Sequence, residues 1–120
     1  MEHNEIDLSE RWLKLCRYIE DNFQPEGEVN LDGILFLIGV HELGMGARKF
    51  SKDEKLNLLH IAICTVLQPY GYYRFEGLDP EGWPHFELVE PLPVLKPGEQ
   101  SRMMKEAVLR YFDELELDAL

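Results

Sequence analysis

Seven consecutive residues, Ile34 to Val40 (ILFLIGV), carry no polar side chain, and the rest of the chain is organised around them. A segment that is apolar on every side must be enclosed by other elements. Seven residues also fall far short of the roughly 20 that cross a bilayer. A short apolar run suits a buried strand or a buried helix, and here the flanks favour helix. Asn30 and Asp32 are N-cap candidates, His41-Glu42-Leu43 continue the run and Gly44 supplies a stop, which predicts a helix over about 31–43. Gly39, in the middle of that helix, predicts a close crossing by another helix or by a hairpin. Upstream, Trp12, Cys16, Ile19 and Phe23, with Leu15 beside them, form one helical stripe. Asp7 and Glu10 open it at capping-box spacing, and Pro25 and Gly27 end it. Downstream, Ser51 and Glu54 form the clearest capping box of the chain, so a third helix starts near Lys52. Leu56, Leu59, Ile63 and Leu67 are its expected apolar face, His60, Cys64 and Val66 lie nearby, and Pro69 and Gly71 close it.

The period then changes. Tyr72 to Glu76 and His85 to Val89 are rich in aromatic and β-branched residues and partly alternate. Between them, Asp79-Pro80-Glu81-Gly82 has Asp, Pro and Gly at the positions a type I turn favours. A β-hairpin with a connection of about eight residues is expected, with Trp83 at its tip folded back over the hairpin's own apolar face. Pro91, Pro93 and Pro97 make an extended connector. A last helix begins near Glu99, with Met103, Met104, Ala107, Val108, Tyr111, Phe112 and Leu115 on one broad face, and an acidic tail follows Asp113. The expected fold is α+β, a small, mainly helical single domain over residues 1–120: three helices, a hairpin that must lie against helices to be stable, and a fourth helix.

Composition narrows the function classes. Lys and Arg number 12 against 23 Asp and Glu, a net charge of −11 that repels phosphate backbones and anionic headgroups. Neither nucleic acid nor a membrane surface is therefore an expected partner. The acidic N-terminus lacks the apolar core of a secretory signal. Cys16 and Cys64 sit within helical patterns as free thiols of a reducing compartment, so a cytoplasmic protein is expected.

Two clusters could carry chemistry. Arg48, Lys49, Lys52 and Lys55 gather where the Gly44-to-Lys55 loop enters a helix, making residues 48–60 net +2 (four basic, two acidic). Helix N-termini favour anions, yet the loop is no Walker motif, and cations neutralising an acidic neighbour is the plainer reading. His41, Glu42, His60 and Cys64 offer N, O and S donors of the kind zinc takes, with His60 and Cys64 one helical turn apart. No HExxH or CxxC supports them, and a core cysteine beside a hydrogen-bonded histidine is the plainer reading. No cofactor is expected, and neither cysteine has the electropositive setting of a nucleophile.

The order helix, helix, helix, hairpin is similar to that of a winged helix-turn-helix, an analogy of order alone. The wing would carry Asp79 and Glu81 and no basic residue between Glu76 and His85, so DNA binding is not expected. The broad last-helix stripe points instead to an interface formed by Met104, Val108, Tyr111, Phe112 and Leu115. The expected function is a non-catalytic interaction or adaptor domain that pairs with a protein partner or with itself as a homodimer. The alternative is a small-anion or metal-binding enzyme domain using the 44–55 loop or the His41/Glu42/His60 cluster.

Overall fold

The computed structural model describes residues 5–23, 29–46 and 48–115. Four helices and one hairpin follow in order: α1 (Glu5–Phe23), α2 (Leu31–Leu43), α3 (Lys52–Leu67), β1 (Tyr73–Leu78), β2 (Pro84–Leu88) and α4 (Pro97–Glu114), with a 3₁₀ turn at Gln68–Tyr70. This is the α+β arrangement expected. Among the described residues no helix is long and apolar enough to cross a membrane.

The apolar helix α2 starts and stops where its flanks indicate. The Asn30 side chain accepts the Gly33 N–H at 2.9 Å, and Gly44, at φ 74°, donates to the Val40 carbonyl in a left-handed C-cap. Every apolar side chain from Ile34 to Val40 is at least half-buried, because α2 serves two apolar clusters. In the larger, Ile34, Leu35 and Ile38 meet Trp12, Leu15 and Ile19 of α1, Ala62, Val66 and Leu67 of α3, and Ala107, Val108, Leu109 and Phe112 of α4. In the smaller, Leu43 joins Leu58 and Ile61 of α3 and Trp83, with Phe36, Val40, Phe50 and Phe86 packed around them. Gly39 lies against the backbone of Leu58, so the close crossing is with α3.

Ser51 caps α3 as its spacing indicates: its Oγ accepts the Glu54 N–H at 3.1 Å, and the Glu54 carboxylate accepts the Ser51 N–H at 2.8 Å. Ser51→Ala is expected to lower the free energy of unfolding by about 1 kcal/mol and Ser51→Gly by a few tenths, measured by urea denaturation.

Several boundaries and faces differ from the sequence expectation. Helix α1 already runs at Glu5, which places Asp7 inside the helix rather than at its cap. Phe23 is exposed while Leu15 and Ile19 are fully buried, so the stripe turns inward one turn earlier than its spacing suggests. Pro25 and Gly27 lie outside the described residues. The buried face of α3 is Leu58, Ile61, Ala62, Cys64, Val66 and Leu67, whereas Leu56 is 59% exposed. Helix α4 starts at Pro97, a residue whose fixed φ and missing N–H suit the first helical position. The hairpin strands reach further than expected, leaving a connection of 79–83, because Glu76 is an extra residue in a bulge with Gly77 at φ 118°.

Asp79 organises that connection. Its Oδ1 accepts the N–H groups of Glu81 and Trp83, both at 2.9 Å, and its main chain closes the turn with Gly82 and Trp83. The remaining oxygen, Oδ2, lies 3.0 Å from His85 Nε2, a bond that requires the proton on that nitrogen. The effect is to deliver Trp83, only 8% exposed, into the small cluster between α2 and α3 rather than over the hairpin alone.

The His85 contact and the two N–H donors hold the Asp79 carboxyl below the usual aspartate range. A depressed folded-state pKa contributes stability that is present above the unfolded value of about 3.9 and is lost as pH falls through the folded one. Glu54, held low mainly by the Ser51 N–H and also by Arg48, acts in the same direction. The melting temperature is therefore expected to fall with acidification below about pH 4, and less steeply in Asp79→Asn, which keeps an acceptor but no charge. Equal slopes for the two proteins would remove Asp79 from the account.

Candidate functional site

The four donors proposed for a metal separate into two pairs. His41 and Glu42 end α2 and face α4, where the Tyr111 hydroxyl donates to Glu42 Oε2 at 2.5 Å and the His41 ring meets the Tyr111 ring edge-on, centroids 6.5 Å apart. Half-burial and the neighbouring carboxylate push the Tyr111 hydroxyl well above the usual phenol range, so it stays a donor. His60 and Cys64 share a turn of α3 instead, with Cys64 Sγ 3.5 Å from His60 Nε2 and Tyr73 of β1 perpendicular to the His60 ring. Burial pushes the Cys64 thiol up to about 11, which leaves it neutral near pH 7 and a poor nucleophile. Among the described residues no three His, Cys, Asp or Glu side chains could together hold a metal ion.

The basic loop is similarly divided. Arg48 stacks over Phe50 at 4.4 Å and reaches Glu54 Oε2 at 3.3 Å and the Lys49 carbonyl at 3.2 Å. The first turn of α3 is thus occupied by its own cap and by a carboxylate already paired with Arg48. Lys49, Lys52 and Lys55 point to solvent around it. Of the four cations, Arg48 is the one the structure shows paired with a carboxylate.

The interface stripe of α4 is used largely within the protein. Val108 and Phe112 are buried, Met104 and Tyr111 are half-buried, and Leu115 is 40% exposed. Leu109, which the stripe omits, is buried as well. Tyr111 is tied to α2 through Glu42. The surplus apolar surface that the width of the stripe suggests does not lie on this helix.

It lies on the hairpin and the connector. Strands β1 and β2 pair Tyr73 with Leu88, Arg74 with Glu87 and Phe75 with Phe86. Tyr73 and Phe86 pack against the helices, and Arg74 and Glu87 form an ion pair on the other face. Phe75, Leu78, Leu88 and Val89 remain exposed, and so do Leu92 and Val94 beyond them. Among the described residues each strand has a single strand neighbour, which leaves one edge of each without a strand partner there.

A separate open cleft of about 850 Å³ lies between α1 and the first half of α4, over Trp12 and Leu13. No family model matches the chain, and no curated protein or solved structure matches it either.

Proposed function

We propose that the chain is a non-catalytic protein-interaction domain that pairs with a second copy of itself through the hairpin and the connector. One observation carries this reading. Of the twelve exposed large hydrophobic side chains among the described residues, six lie between residues 75 and 94: Phe75, Leu78, Leu88, Val89, Leu92 and Val94. Scattered exposed apolar residues are ordinary, but a run of them on one short ribbon is what an interface leaves uncovered in the free protein. Each strand also has an edge that no further strand among the described residues covers, where a second ribbon can pair. A two-fold arrangement is the commonest way for one surface to cover itself. The free thiols Cys16 and Cys64 suit a reducing compartment, and the cytoplasm belongs to the same reading.

Charge opposes the pairing, since each chain carries −11. Raising salt from 0.01 to 0.15 M shortens the Debye length from about 30 to about 8 Å and should tighten the dimer. Sedimentation equilibrium is expected to show a dimer that follows this trend. Leu78→Glu/Leu88→Glu changes two side chains that are 65% and 53% exposed, and should sediment as a folded monomer. A wild type that stays monomeric at high concentration and physiological salt contradicts the proposal.

A further inference from the structure

The connector from β2 to α4 is the most exposed part of the apolar surface. Every residue from Leu88 to Val94 is exposed, and Val94, at 101%, is covered by nothing among the described residues. Pro91 and Pro93 fix their own φ at about −65° and hold the residues before them, Glu90 and Leu92, in extended backbone. Prolines at alternate positions give an extended segment two unequal edges. The N–H and C=O of one residue point to one edge and those of the next residue to the other. Pro91 and Pro93 therefore share an edge and offer it no donor, while Leu92 and Val94 share the opposite edge with both groups intact. Among the described residues the hydrogen bonds stop on either side of that edge. The Val89 and Glu90 N–H groups donate to the Tyr72 carbonyl at 2.9 and 3.3 Å, and the Lys96 N–H donates to Glu99 at 3.1 Å.

We propose that the two connectors of a pair run antiparallel along this edge, with the two-fold axis passing at Pro93. The inference rests on the pairing of the chain with a second copy and adds its register. Leu92 then faces Val94 of the second copy, and Val94 faces Leu92, each couple exchanging both N–H···O=C bonds. The segment is its own complement because its two bonding residues flank a single proline. A register centred on Leu92 or on Val94 instead calls on the N–H of Glu90 or of Lys96, and both are already bonded within the protein. Leu92 and Val94 of both copies fall on one face, which covers the most exposed of the large apolar side chains. The prolines line the two outer edges and give a third strand no donor, so the assembly closes at two copies.

Single cysteines placed in the full chain read the register. In a non-hydrogen-bonded antiparallel couple the Cα atoms stand about 4.5 Å apart, within the roughly 4.4–6.8 Å that a disulfide spans. Pro93→Cys meets its own copy on the axis, whereas Pro91→Cys lies about 13 Å or more from its copy at roughly 3.3 Å per residue. With oxidised glutathione, Pro93→Cys should form a covalent dimer at least about tenfold faster than Pro91→Cys, because pairing raises the effective concentration of its thiols. The wild type, with Cys64 buried and Cys16 half-buried, gives the background. Leu92→Pro/Val94→Pro removes the two donors and leaves the described hydrogen bonds in place. It should raise the dimer dissociation constant in sedimentation at least about tenfold, with its fold checked by circular dichroism. Equal rates of cross-linking at 91 and 93 overturn the proposal. A Leu92→Pro/Val94→Pro protein that dimerises as the wild type does also overturns it, and leaves the pairing itself standing. A monomeric wild type overturns both.

Discussion

Gly39→Leu should leave no cooperatively folded protein at room temperature. A Cβ built on Gly39 falls 2.4 Å from the Leu58 carbonyl oxygen, 2.9 Å from the carbonyl carbon and 3.0 Å from the Leu58 Cβ. The obstacle is mainly the backbone of α3, which no side-chain rotation relieves. To admit even one methyl group, α2 and α3 must move apart by about 1 Å to restore ordinary contact distances. Both helices serve both apolar clusters, so the separation loosens Ile34, Leu35 and Ile38 on one side and Leu43 on the other. Alanine gains about 1 kcal/mol of helix propensity over glycine. Overpacking a close-packed interior costs typically 1–3 kcal/mol, and contact with backbone puts this site at the upper end, so Gly39→Ala should still be destabilised, by up to about 2 kcal/mol net. Leucine adds three further carbons to that crossing, against a total stability of about 5–15 kcal/mol for a domain. Thermal melts followed by circular dichroism test both. A Gly39→Ala variant as stable as the wild type would falsify the close crossing.

The second large effect is expected at Trp83. The small cluster has four buried members, Leu43, Leu58, Ile61 and Trp83, and the indole is the largest of them. It is also the member that fastens the hairpin to the helices, since the Asp79 turn places it there. Trp83→Ala should cost about 3–5 kcal/mol, the range for removing a buried aromatic side chain. For a chain of this size that is a fall in melting temperature of roughly 10–25 °C. Amide protons of β1 and β2 should lose protection more than those of α1 and α4, which pack in the larger cluster. A loss under about 1 kcal/mol would show that the hairpin is held elsewhere.

What the sequence makes legible is mostly local. Asn30 and Gly44, Ser51 with Glu54, and Asp79 with Gly82 each settle their own hydrogen bonds within a few residues. The bounds of α2 and the start of α3 stand where they read, while the turn at 79–82 sits in a shorter connection than expected. The face of α3 is not legible, for a physical reason. KDEKLNLLHIAICTVL carries apolar residues nearly all round after Lys55, so two stripes compete. The choice of Leu58 over Leu56 is made by Gly39 on the partner helix, which draws Leu58 against α2. The width of the α4 stripe likewise reports three partner helices inside the protein rather than a surplus outside it.

The candidate sites follow the same division. His60 and Cys64 are neighbours because one helix makes them so, whereas bringing His41 and Glu42 to them depends on which sides of α2 and α3 face each other. The helices turn His41 and Glu42 toward Tyr111 and His60 toward Tyr73. The cleft joins residues 8–13 with 96–105, two segments that no local pattern relates. The exposed apolar ribbon was written as alternation in the strands, but alternation does not tell which apolar residues the helices leave uncovered.

The central claim is that the ribbon, and not α4, is the surface that a second copy covers. Isotope-filtered nuclear Overhauser spectroscopy on a mixture of labelled and unlabelled protein reads this directly, because it detects only protons close across an interface. The account expects intermolecular contacts from Phe75, Leu78, Leu88 and Val94 and none from Met104 or Leu115. Contacts from Met104 and Leu115 with silence at the hairpin, or no intermolecular contact at any concentration, would contradict it.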